Sequence, residues 1–238
     1  MTAGMSGSDE KAPDEDRDLR RYSSPACMLD EFDPAAAPLP LTLPATDPAQ
    51  EWQEVRLWRK AKRAALIERR LAIPDADRAV YGKAITEALL RVLPSQPGTL
   101  IGFYWPFKGE YDPRPLARLL HARGMRLALP VVVQKAAPVI FREWRPGIAM
   151  TSGVWNIPVP AAGDPVAPSV LLVPVVGFDR QNYRLGYGGG YYDRTLAAAG
   201  ANRPQAIGVG FERSRIPTIH PQPHDIPMDQ VVTERALT

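Results

Sequence analysis

The segment Arg184–Arg194 reads Arg-Leu-Gly-Tyr-Gly-Gly-Gly-Tyr-Tyr-Asp-Arg and combines glycines with cationic and acidic side chains. Its four glycines have no Cβ, so the backbone can turn freely and approach a ligand closely. The apolar run Val170–Val176 precedes the segment, and the helix-compatible stretch Asp193–Ala199 ends it and continues beyond. A strand, a glycine loop and a helix N-terminus in this order form a cradle for phosphate, because backbone N–H groups and the positive helix end point at the anion. The pattern therefore predicts a phosphate-binding loop.

This glycine loop differs from the common nucleotide-binding motifs. It lacks the Gly-x-x-x-x-Gly-Lys-Ser/Thr spacing of the P-loop, and it comes too late in the chain for a Rossmann dinucleotide motif. A glycine cluster by itself is explained equally well by a tight turn. Tyr191, Tyr192 and Asp193 directly follow the glycines and favour a ligand site, since a simple turn needs none of them. Arg184 and Arg194 add positive charge, and Asp193 can hold a cation that bridges phosphates.

The composition is that of one globular α/β domain, or of a domain with an extension. The chain has 238 residues, of which 45% are hydrophobic, and its formal net charge of +3 argues against a nucleic-acid partner. The single cysteine, Cys27, rules out a disulfide framework within the chain and disfavours a cysteine-based zinc site. No apolar run has the length of a membrane span, and the N-terminus does not resemble a signal peptide. We expect a cytoplasmic monomer or weak homodimer without a membrane partner.

The sequence predicts two regions. Residues 1–50 form an extension that is rich in Gly, Ser, Pro and charged residues at its start, and we expect it to be largely disordered. It contains a short apolar island over residues 22–32, which is either a docking peptide or a partly ordered tail. Residues 51–238 are expected to form the functional domain.

Apolar periodicity and turn residues predict an alternation of helices and strands over the domain. The predicted helices are Glu51–Leu71, Asp75–Val92 with Asp75 as its cap, Pro113–Arg123, and the helix after the glycines, which ends near Ala199. The predicted strands are Thr99–Tyr104, Arg126–Val133, Val139–Trp144, Val170–Val176, Gln205–Phe211 and Gln230–Thr233, and Trp155–Pro168 is predicted to be a loop. Strands alternating with helices indicate a single three-layer α/β domain with a mostly parallel sheet.

Three turns follow strands of this predicted sheet. Glu110 comes after the first strand, the Arg184 loop after the strand at Val170, and Glu212 after the strand at Gln205. Ligands of such sheets bind outside the carboxyl ends of the strands. We therefore expect all three turns to face one crevice.

The segment Arg184–Arg194 resembles the signature of the 5-formyltetrahydrofolate cyclo-ligases, also called 5,10-methenyltetrahydrofolate synthetases. Other segments resemble this family in the same order, over about Glu51–Glu234: Arg59–Arg63 with Arg69 and Arg70, Ile101–Pro106 through Glu110–Asp112, Trp155–Pro160, and His224–Asp229. The resemblance implies a Rossmann-like architecture similar to that of sugar-phosphate isomerases and CoA transferases. It also implies an ATP- and Mg²⁺-dependent cyclisation of 5-formyltetrahydrofolate, in which phosphoryl transfer activates the formyl oxygen, N10 attacks, and ADP and phosphate are released.

The resemblance also implies residue roles. The ATP-binding residues it implies are Arg59, Lys60, Arg63, Arg184, Leu185, Gly186, Tyr187, Gly188, Gly189, Gly190, Tyr191 and Tyr192. Of these, Arg184 and Tyr192 are expected to act in catalysis. Arg59 and Arg63 are four residues apart on the first predicted helix and project from one face. The competing interpretation is that this is a solvated basic face without a ligand. The family often has lysine at the position of Arg59.

For the folate, the resemblance implies Trp105, Glu110 and Tyr192. The competing interpretations are a core aromatic for Trp105, an exposed loop carboxylate for Glu110 and a core tyrosine for Tyr192. The segment Trp155–Pro158 is expected to pack beside the folate crevice as a stiff loop, and we assign it no role in the site.

For the metal, the resemblance implies that Asp193 and Asp225 hold Mg²⁺, an ion that suits two carboxylates together with phosphate oxygens and water. Asp193 is also placed to cap the following helix. Asp229, four residues after Asp225, is the alternative to Asp225.

Two other hypotheses differ in class. A non-catalytic folate- or nucleotide-binding relative is expected to have lost a phosphate contact or a metal carboxylate, and this sequence keeps Arg63, Glu110, Arg184, Asp193 and Asp225. A sugar-phosphate isomerase or CoA-transferase-like enzyme rests on fold analogy alone and leaves the glycine-tyrosine-aspartate segment unexplained.

Overall fold

The computed structural model describes Met1 and residues 48–237, and the described residues from 48 onward belong to one compact unit, Asp47–Thr238. The extension predicted over residues 1–50, with its apolar island at 22–32, lies almost entirely outside the described residues. It therefore stays a prediction.

Over residues 48–237 the chain forms four α-helices: α1 (Pro48–Leu71), α2 (Asp75–Val92), α3 (Arg114–Ala122) and α4 (Tyr191–Ala198). The predicted helices are confirmed, and α1 begins three residues before the predicted Glu51, since proline is tolerated in a first helical turn. The predicted cap at Asp75 is wrong: Pro74 occupies the cap position, and no side chain caps the helix. None of the described helices combines the length and apolar character that crossing a bilayer requires.

The strands over the same residues are β1 (Leu100–Gly102), β2 (Arg126–Val131), β3 (Ile140–Trp144), β4 (Met150–Ser152), β5 (Pro158–Pro160), β6 (Pro165–Val166), β7 (Val170–Pro174), β8 (Gly177–Phe178), β9 (Arg184–Leu185), β10 (Gln205–Val209), β11 (Gln230–Thr233) and β12 (Ala236–Leu237). Eight of them form the main sheet in the order β12-β11-β10-β7-β1-β2-β3-β6. The five central strands, β11 to β2, are parallel to one another. The strands outside them are antiparallel. The predicted mostly parallel sheet is confirmed.

The strand β7 shows why the domain has three layers. Its first four residues, Val170–Val173, are all buried, as expected for a parallel strand that is covered on both faces. Leu172 belongs to a core cluster that contains Leu89 of α2 and Leu116 of α3. Leu171, which points to the opposite face, belongs to a second cluster with Leu196 of α4.

Two local features depart from the expected elements. The hairpin of β8 and β9 lies between β7 and the glycine loop, so the loop does not follow β7 directly. Asp179, which is fully buried in this hairpin, accepts the backbone N–H groups of Gln181, Tyr183 and Ile219. The helix α1 packs on the same region through Leu66.

The segment Trp155–Pro168 was predicted to be a loop, and this prediction is wrong in part, because the segment contains two short strands. It contains β5, which pairs with β4, and β6, which pairs with β3 and forms the edge of the main sheet. A 3-10 turn at Val154–Asn156 precedes β5 and holds Trp155 in a left-handed backbone conformation, at φ 57°. The pairing fixes this segment beside the carboxyl end of the sheet.

Candidate active site

A cavity of about 590 Å³ lies at the carboxyl ends of β1, β2 and β7, where Tyr104, Pro130 and Pro174 contribute to its wall. All the residues that the sequence assigned to ATP, folate or metal line it: Arg59, Lys60, Arg63, Trp105, Glu110, Asp225 and the whole segment Arg184–Asp193. The expected crevice is therefore present in the described part of the chain.

Two acidic residues that the sequence suggested do not line this cavity. Glu212, expected in the crevice, instead pairs with Arg215 at 2.6 Å and accepts the hydroxyl of Thr233, so this prediction is wrong. Asp229, the alternative to Asp225, pairs with Arg203 at 2.8 Å outside the cavity. Of the two candidates, Asp225 is the one that faces the cavity.

Glu110 is buried at one end of the cavity, with only 7% of its surface exposed, so it is not an exposed loop carboxylate. Within the turn after β1, Oε2 of Glu110 accepts the backbone N–H of Phe107 at 2.9 Å. Oε1 accepts the hydroxyl of Tyr187 at 2.8 Å. Burial raises the pKa of Glu110, and the positive charge of Arg70 and these two hydrogen bonds oppose that rise.

Aromatic side chains form the wall next to Glu110. The rings of Phe107 and Trp155 are nearly parallel, at 10°, with centroids 6.1 Å apart, and Tyr187 packs edge-on against Phe107. Trp105 is half-buried on the same cavity and lies under the guanidinium of Arg114. Trp155 is 54% exposed, and its left-handed backbone conformation is strained for a large residue. Exposed apolar surface and strain of this kind point to a ligand contact.

The glycine loop forms another part of the cavity wall, and its Tyr187 reaches Glu110. Gly188 and Gly190 have positive φ values of 95° and 64°, which glycine adopts without strain. Gly190 precedes the first residue of α4, so the loop leads directly into a helix N-terminus as predicted. Arg194 does not line the cavity, and its Nη1 donates to the carbonyl of Gly189 at 2.6 Å.

Arg184 is buried beside this loop. Its Nη2 pairs with Asp193 at 2.8 Å, and its guanidinium lies 5.4 Å from the ring centre of Tyr192. Its Nε is buried and has no hydrogen-bond partner among the described residues. Burial raises the pKa of Tyr192, which keeps its hydroxyl neutral.

The helix α1 supplies four cations to the cavity, Arg56, Arg59, Lys60 and Arg63, and they are not equivalent. Arg63 reaches the glycine loop, where its Nε donates to the carbonyl of Gly186 at 2.7 Å. Burial, together with the positive charge of Arg59, lowers the pKa of Arg63. Arg59 is held by the carbonyls of Ile219 and His220 and by Asp225, at 3.0, 2.8 and 2.5 Å. The guanidinium of Arg59 is therefore held mainly by groups of the protein itself.

Asp193 and Asp225 have oxygen donors of the kind that Mg²⁺ prefers. Each is already paired with an arginine, and the backbone N–H of Ile226 donates to Asp193 at 3.3 Å. A carboxylate offers about four lone-pair sites, so both groups retain capacity for a metal. The described residues contain no cluster of three or more His, Cys, Asp or Glu side chains suited to a metal. The two carboxylates fit Mg²⁺ only with ligands from phosphate and water.

The expected helix cap at Asp193 is not formed. Asp193 lies in the first turn of α4, and no side chain caps that helix. The carboxylate of Asp193 instead accepts hydrogen bonds from Arg184 and from the backbone N–H of Ile226.

Sequence reasoning missed several residues of the site. Phe107 and Trp155 line the aromatic wall, and Trp52 and Arg56 extend the cavity along α1. Trp155 belongs to a segment that was placed near the crevice but given no role. A tryptophan followed by asparagine is the available signal, because asparagine tolerates the left-handed conformation that both residues adopt.

Comparison with known proteins identifies the family of this chain. The family model "5-formyltetrahydrofolate cyclo-ligase family" matches residues 55–234. The 5-formyltetrahydrofolate cyclo-ligase of Mycolicibacterium smegmatis is 33% identical over 181 residues, which cover 73% of this chain and 92% of that protein. The Escherichia coli K12 cyclo-ligase is 28% identical over 172 residues, covering 70% and 94%.

Solved structures show the same fold. The structure of the Aquifex aeolicus 5,10-methenyltetrahydrofolate synthetase superimposes with a TM-score of 0.64 at 27% identity, covering 75% of this chain and 91% of that chain. The Mycoplasma pneumoniae synthetase superimposes with a TM-score of 0.60 at 23% identity and supports the fold. With the match over residues 55–234, the chain belongs to the 5-formyltetrahydrofolate cyclo-ligase family of enzymes.

Proposed function

We propose that this enzyme cyclises 5-formyltetrahydrofolate to 5,10-methenyltetrahydrofolate with ATP and Mg²⁺, releasing ADP and phosphate. Membership of the family carries the reaction class and the use of ATP. The observation that supports the detailed mechanism is the lining of the cavity, in which a buried carboxylate and an aromatic wall lie beside a glycine loop and cations from α1.

The end of the cavity at Glu110 suits a folate. The carboxylate accepts two protein hydrogen bonds, and its remaining lone pairs can accept N–H groups of the pterin ring. Trp155 and Phe107 offer flat apolar surface against which an aromatic ring can stack, and Trp105 extends it. A triphosphate is disfavoured here because a buried carboxylate repels it.

The glycine loop suits the phosphates of ATP. Its residues Gly186–Gly190 lead into the N-terminus of α4, and Arg63 lies beside Gly186. Lys60 and Arg63 bring positive charge from α1, while Arg59 has a positioning role because its guanidinium is held by Asp225 and two carbonyls. Arg184 lines the cavity beside this loop and adds a positive charge that Asp193 holds in place.

The reaction needs no covalent enzyme intermediate. The formyl oxygen of the substrate takes the γ-phosphoryl group of ATP, and ADP leaves. N10 then attacks the formyl carbon, its proton is released, and phosphate departs with the former formyl oxygen. The enzyme's task is to hold the two substrates in line and to stabilise the charge on the transferring group. Arg184 and the neutral hydroxyl of Tyr192 are the groups that we assign to that stabilisation.

Asp193 and Asp225 are the residues that would hold Mg²⁺, which supplies positive charge against the phosphate oxygens. Arg184 and Arg59 pair with these carboxylates and fix their orientation in the cavity.

The test is direct. Purified protein is incubated with 5-formyltetrahydrofolate, ATP and Mg²⁺, and the absorbance of the methenyl product is followed, with single omissions of ATP and of Mg²⁺ as controls. We expect product only in the complete mixture. If the protein binds both ligands but forms no product, it is a binding protein and the proposed activity is wrong. If product forms without Mg²⁺, the proposed requirement for the metal is wrong.

A further inference from the structure

Arg70, in the last turn of α1, is a buried arginine that the proposed mechanism does not use. It is 2% exposed and does not line the cavity, whereas its neighbour Arg69 is exposed. A buried charge is costly unless it is paired and fully hydrogen-bonded. The contacts of Arg70 therefore need an explanation.

The guanidinium of Arg70 joins three segments that meet at the cavity. Its Nε donates to the carbonyl of Lys108, in the turn that carries Glu110, at 2.9 Å. Its Nη2 donates to the hydroxyl of Tyr187, in the glycine loop, at 2.6 Å. Its Nη1 lies 3.4 Å from the carbonyl of Val175, just after β7. A planar fork with five N–H donors can hold three such partners in fixed directions, which an ammonium group cannot do.

Tyr187 passes this constraint to Glu110. Because Arg70 donates to its oxygen, the tyrosine hydroxyl must direct its single proton elsewhere. The nearest acceptor is Oε1 of Glu110 at 2.8 Å, and the carbonyl of Phe107 is farther away at 3.4 Å. Arg70 Nη1 also lies 3.9 Å from Oε1. The carboxylate is thus held in one orientation, with Oε2 bound to the turn and Oε1 bound to the glycine loop.

The charges around Glu110 make Arg70 its main electrostatic partner. Burial raises the pKa of Glu110, and in the described part of the chain Arg70 from α1 and Tyr187 from the glycine loop lower it. Glu110 in turn adds to the effect of burial in raising the pKa of Tyr187, of Tyr104 after β1 and of Tyr192 from α4. Burial raises the pKa of all three tyrosines, so they are neutral at physiological pH. Arg70 supplies the positive charge.

We propose that Arg70 is a positioning residue which, through Tyr187, orients the Glu110 carboxylate for the folate and ties that carboxylate to the glycine loop. The proposal rests on the proposed function, in which Glu110 binds the folate. A purely structural role would hold the same segments together without affecting folate use or its pH dependence.

The experiment compares Arg70→Gln, Arg70→Lys and Tyr187→Phe with Arg69→Gln, a matched change at the neighbouring exposed arginine. Thermal unfolding of each variant and kcat and KM for both substrates are measured as functions of pH. For Arg70→Gln we expect kcat/KM for the folate to fall by about ten- to a hundredfold, the range for loss of a charge-assisted hydrogen bond. The KM for ATP changes much less.

The pH profile separates positioning from charge. Loss of the Arg70 charge raises the pKa of Glu110 further, so the acid limb of kcat/KM for the folate moves to higher pH in Arg70→Gln. Arg70→Lys keeps the charge and loses the fork, so the limb stays in place while folate use still weakens. Tyr187→Phe removes only one hydroxyl and is expected to weaken folate use in a folded protein.

The proposal is overturned if the Arg70 variants fold and show the same folate kinetics and the same acid limb as Arg69→Gln. If the Arg70 variants do not fold, Tyr187→Phe decides, and unchanged folate kinetics in that variant overturns it. Glu110→Gln is measured alongside: if that variant uses the folate normally, the assignment of Glu110 in the proposed function has failed, and the positioning role fails with it. A defect in Glu110→Gln without any defect in the Arg70 and Tyr187 variants removes the positioning role alone.

Discussion

Arg184 and Asp193 form an ion pair at 2.8 Å that joins the two sides of the glycine loop between them. Their side chains are only 5% and 14% exposed, so the pair is shielded from solvent. Gly186–Gly190 is thereby closed into a loop by its own flanking residues.

This pair gives a prediction for Asp193→Asn, which keeps the shape of the side chain and removes its charge. We expect kcat to fall by at least about tenfold, because a group that orients or holds a metal has been weakened. Because Asp193 lies in the first turn of α4 and pairs with Arg184, the variant also loses about 1–3 kcal/mol of unfolding free energy. Denaturant unfolding and turnover against Mg²⁺ concentration measure both effects.

The matched control is Asp229→Asn, since Asp229 pairs with Arg203 outside the cavity. Turnover in that variant should stay near that of the unmodified chain. Normal turnover of Asp193→Asn at limiting Mg²⁺ would contradict the metal assignment.

A second prediction separates the roles proposed for Glu110 and Arg63. Glu110→Gln should raise the KM for the folate by about tenfold or more and the KM for ATP much less, because a carboxylate accepts pterin N–H groups and repels a triphosphate. Arg63→Ala should do the reverse, because its guanidinium, beside Gly186, pairs well with phosphate oxygens. Lys62→Ala, a neighbouring cation that does not line the cavity, is the control. A larger effect of Glu110→Gln on ATP would reverse the assigned roles.

The strained backbone of Trp155 gives a third prediction. Both Trp155→Gly and Trp155→Ala remove the ring and should raise the KM for the folate. Only glycine relieves the left-handed conformation at φ 57°, so the glycine variant should be more stable than the alanine variant by about 1 kcal/mol. Denaturant unfolding of the two variants checks the difference. Equal folate kinetics in both variants and the unmodified chain would remove Trp155 from the site.

Glu212 gives a prediction of pH dependence. Hydrogen bonds from Arg215, the largest cause, hold the pKa of this carboxylate below its usual value. Its stabilising contribution is therefore fully present above the unfolded pKa of glutamate and is lost as the pH falls through the lower folded value. Glu212→Gln should lose about 0.5–1.5 kcal/mol of unfolding free energy at neutral pH, and the difference should shrink in acid. Turnover should not change, and a strong loss of turnover would return Glu212 to the crevice.

The extension gives the fifth prediction. Deleting residues 1–47 should leave turnover close to that of the full chain, because the family match begins at residue 55 and the described residues that line the cavity begin at Trp52. Turnover and thermal unfolding of the shortened protein are compared with those of the full chain. A folded but inactive product would show that residues 22–32, or others before α1, contribute to the site.

Sequence patterns predicted the parts of the fold that have a strong physical signal. The strand β7 is a continuous apolar run because both of its faces are covered, and the glycine loop is recognisable because its backbone conformations favour glycine. The hairpin of β8 and β9 was missed because each strand has two residues, too few to show a period.

Buried charges were harder to predict. Arg69 and Arg70 are identical in type and adjacent, and only the phase of the helix distinguishes them. Arg70 lies four residues after the buried Leu66 and seven after Arg63, so it falls on the inner face of α1, whereas Arg69 faces solvent. Glu212 shows the opposite case: a carboxylate after a strand was expected to face the ligand and instead forms an ion pair with Arg215.

The anchoring of Arg59 has a consequence for the way in which the enzyme is made. Its Nε binds the carbonyl of Ile219, 160 positions later in the chain, and its Nη2 binds Asp225. On the ribosome, α1 emerges long before these partners, and it cannot complete this wall of the cavity until they have been synthesised. Contacts between residues so far apart in the chain also cost loop-closure entropy. The nascent chain therefore cannot have an assembled active site until it has been synthesised past Asp225.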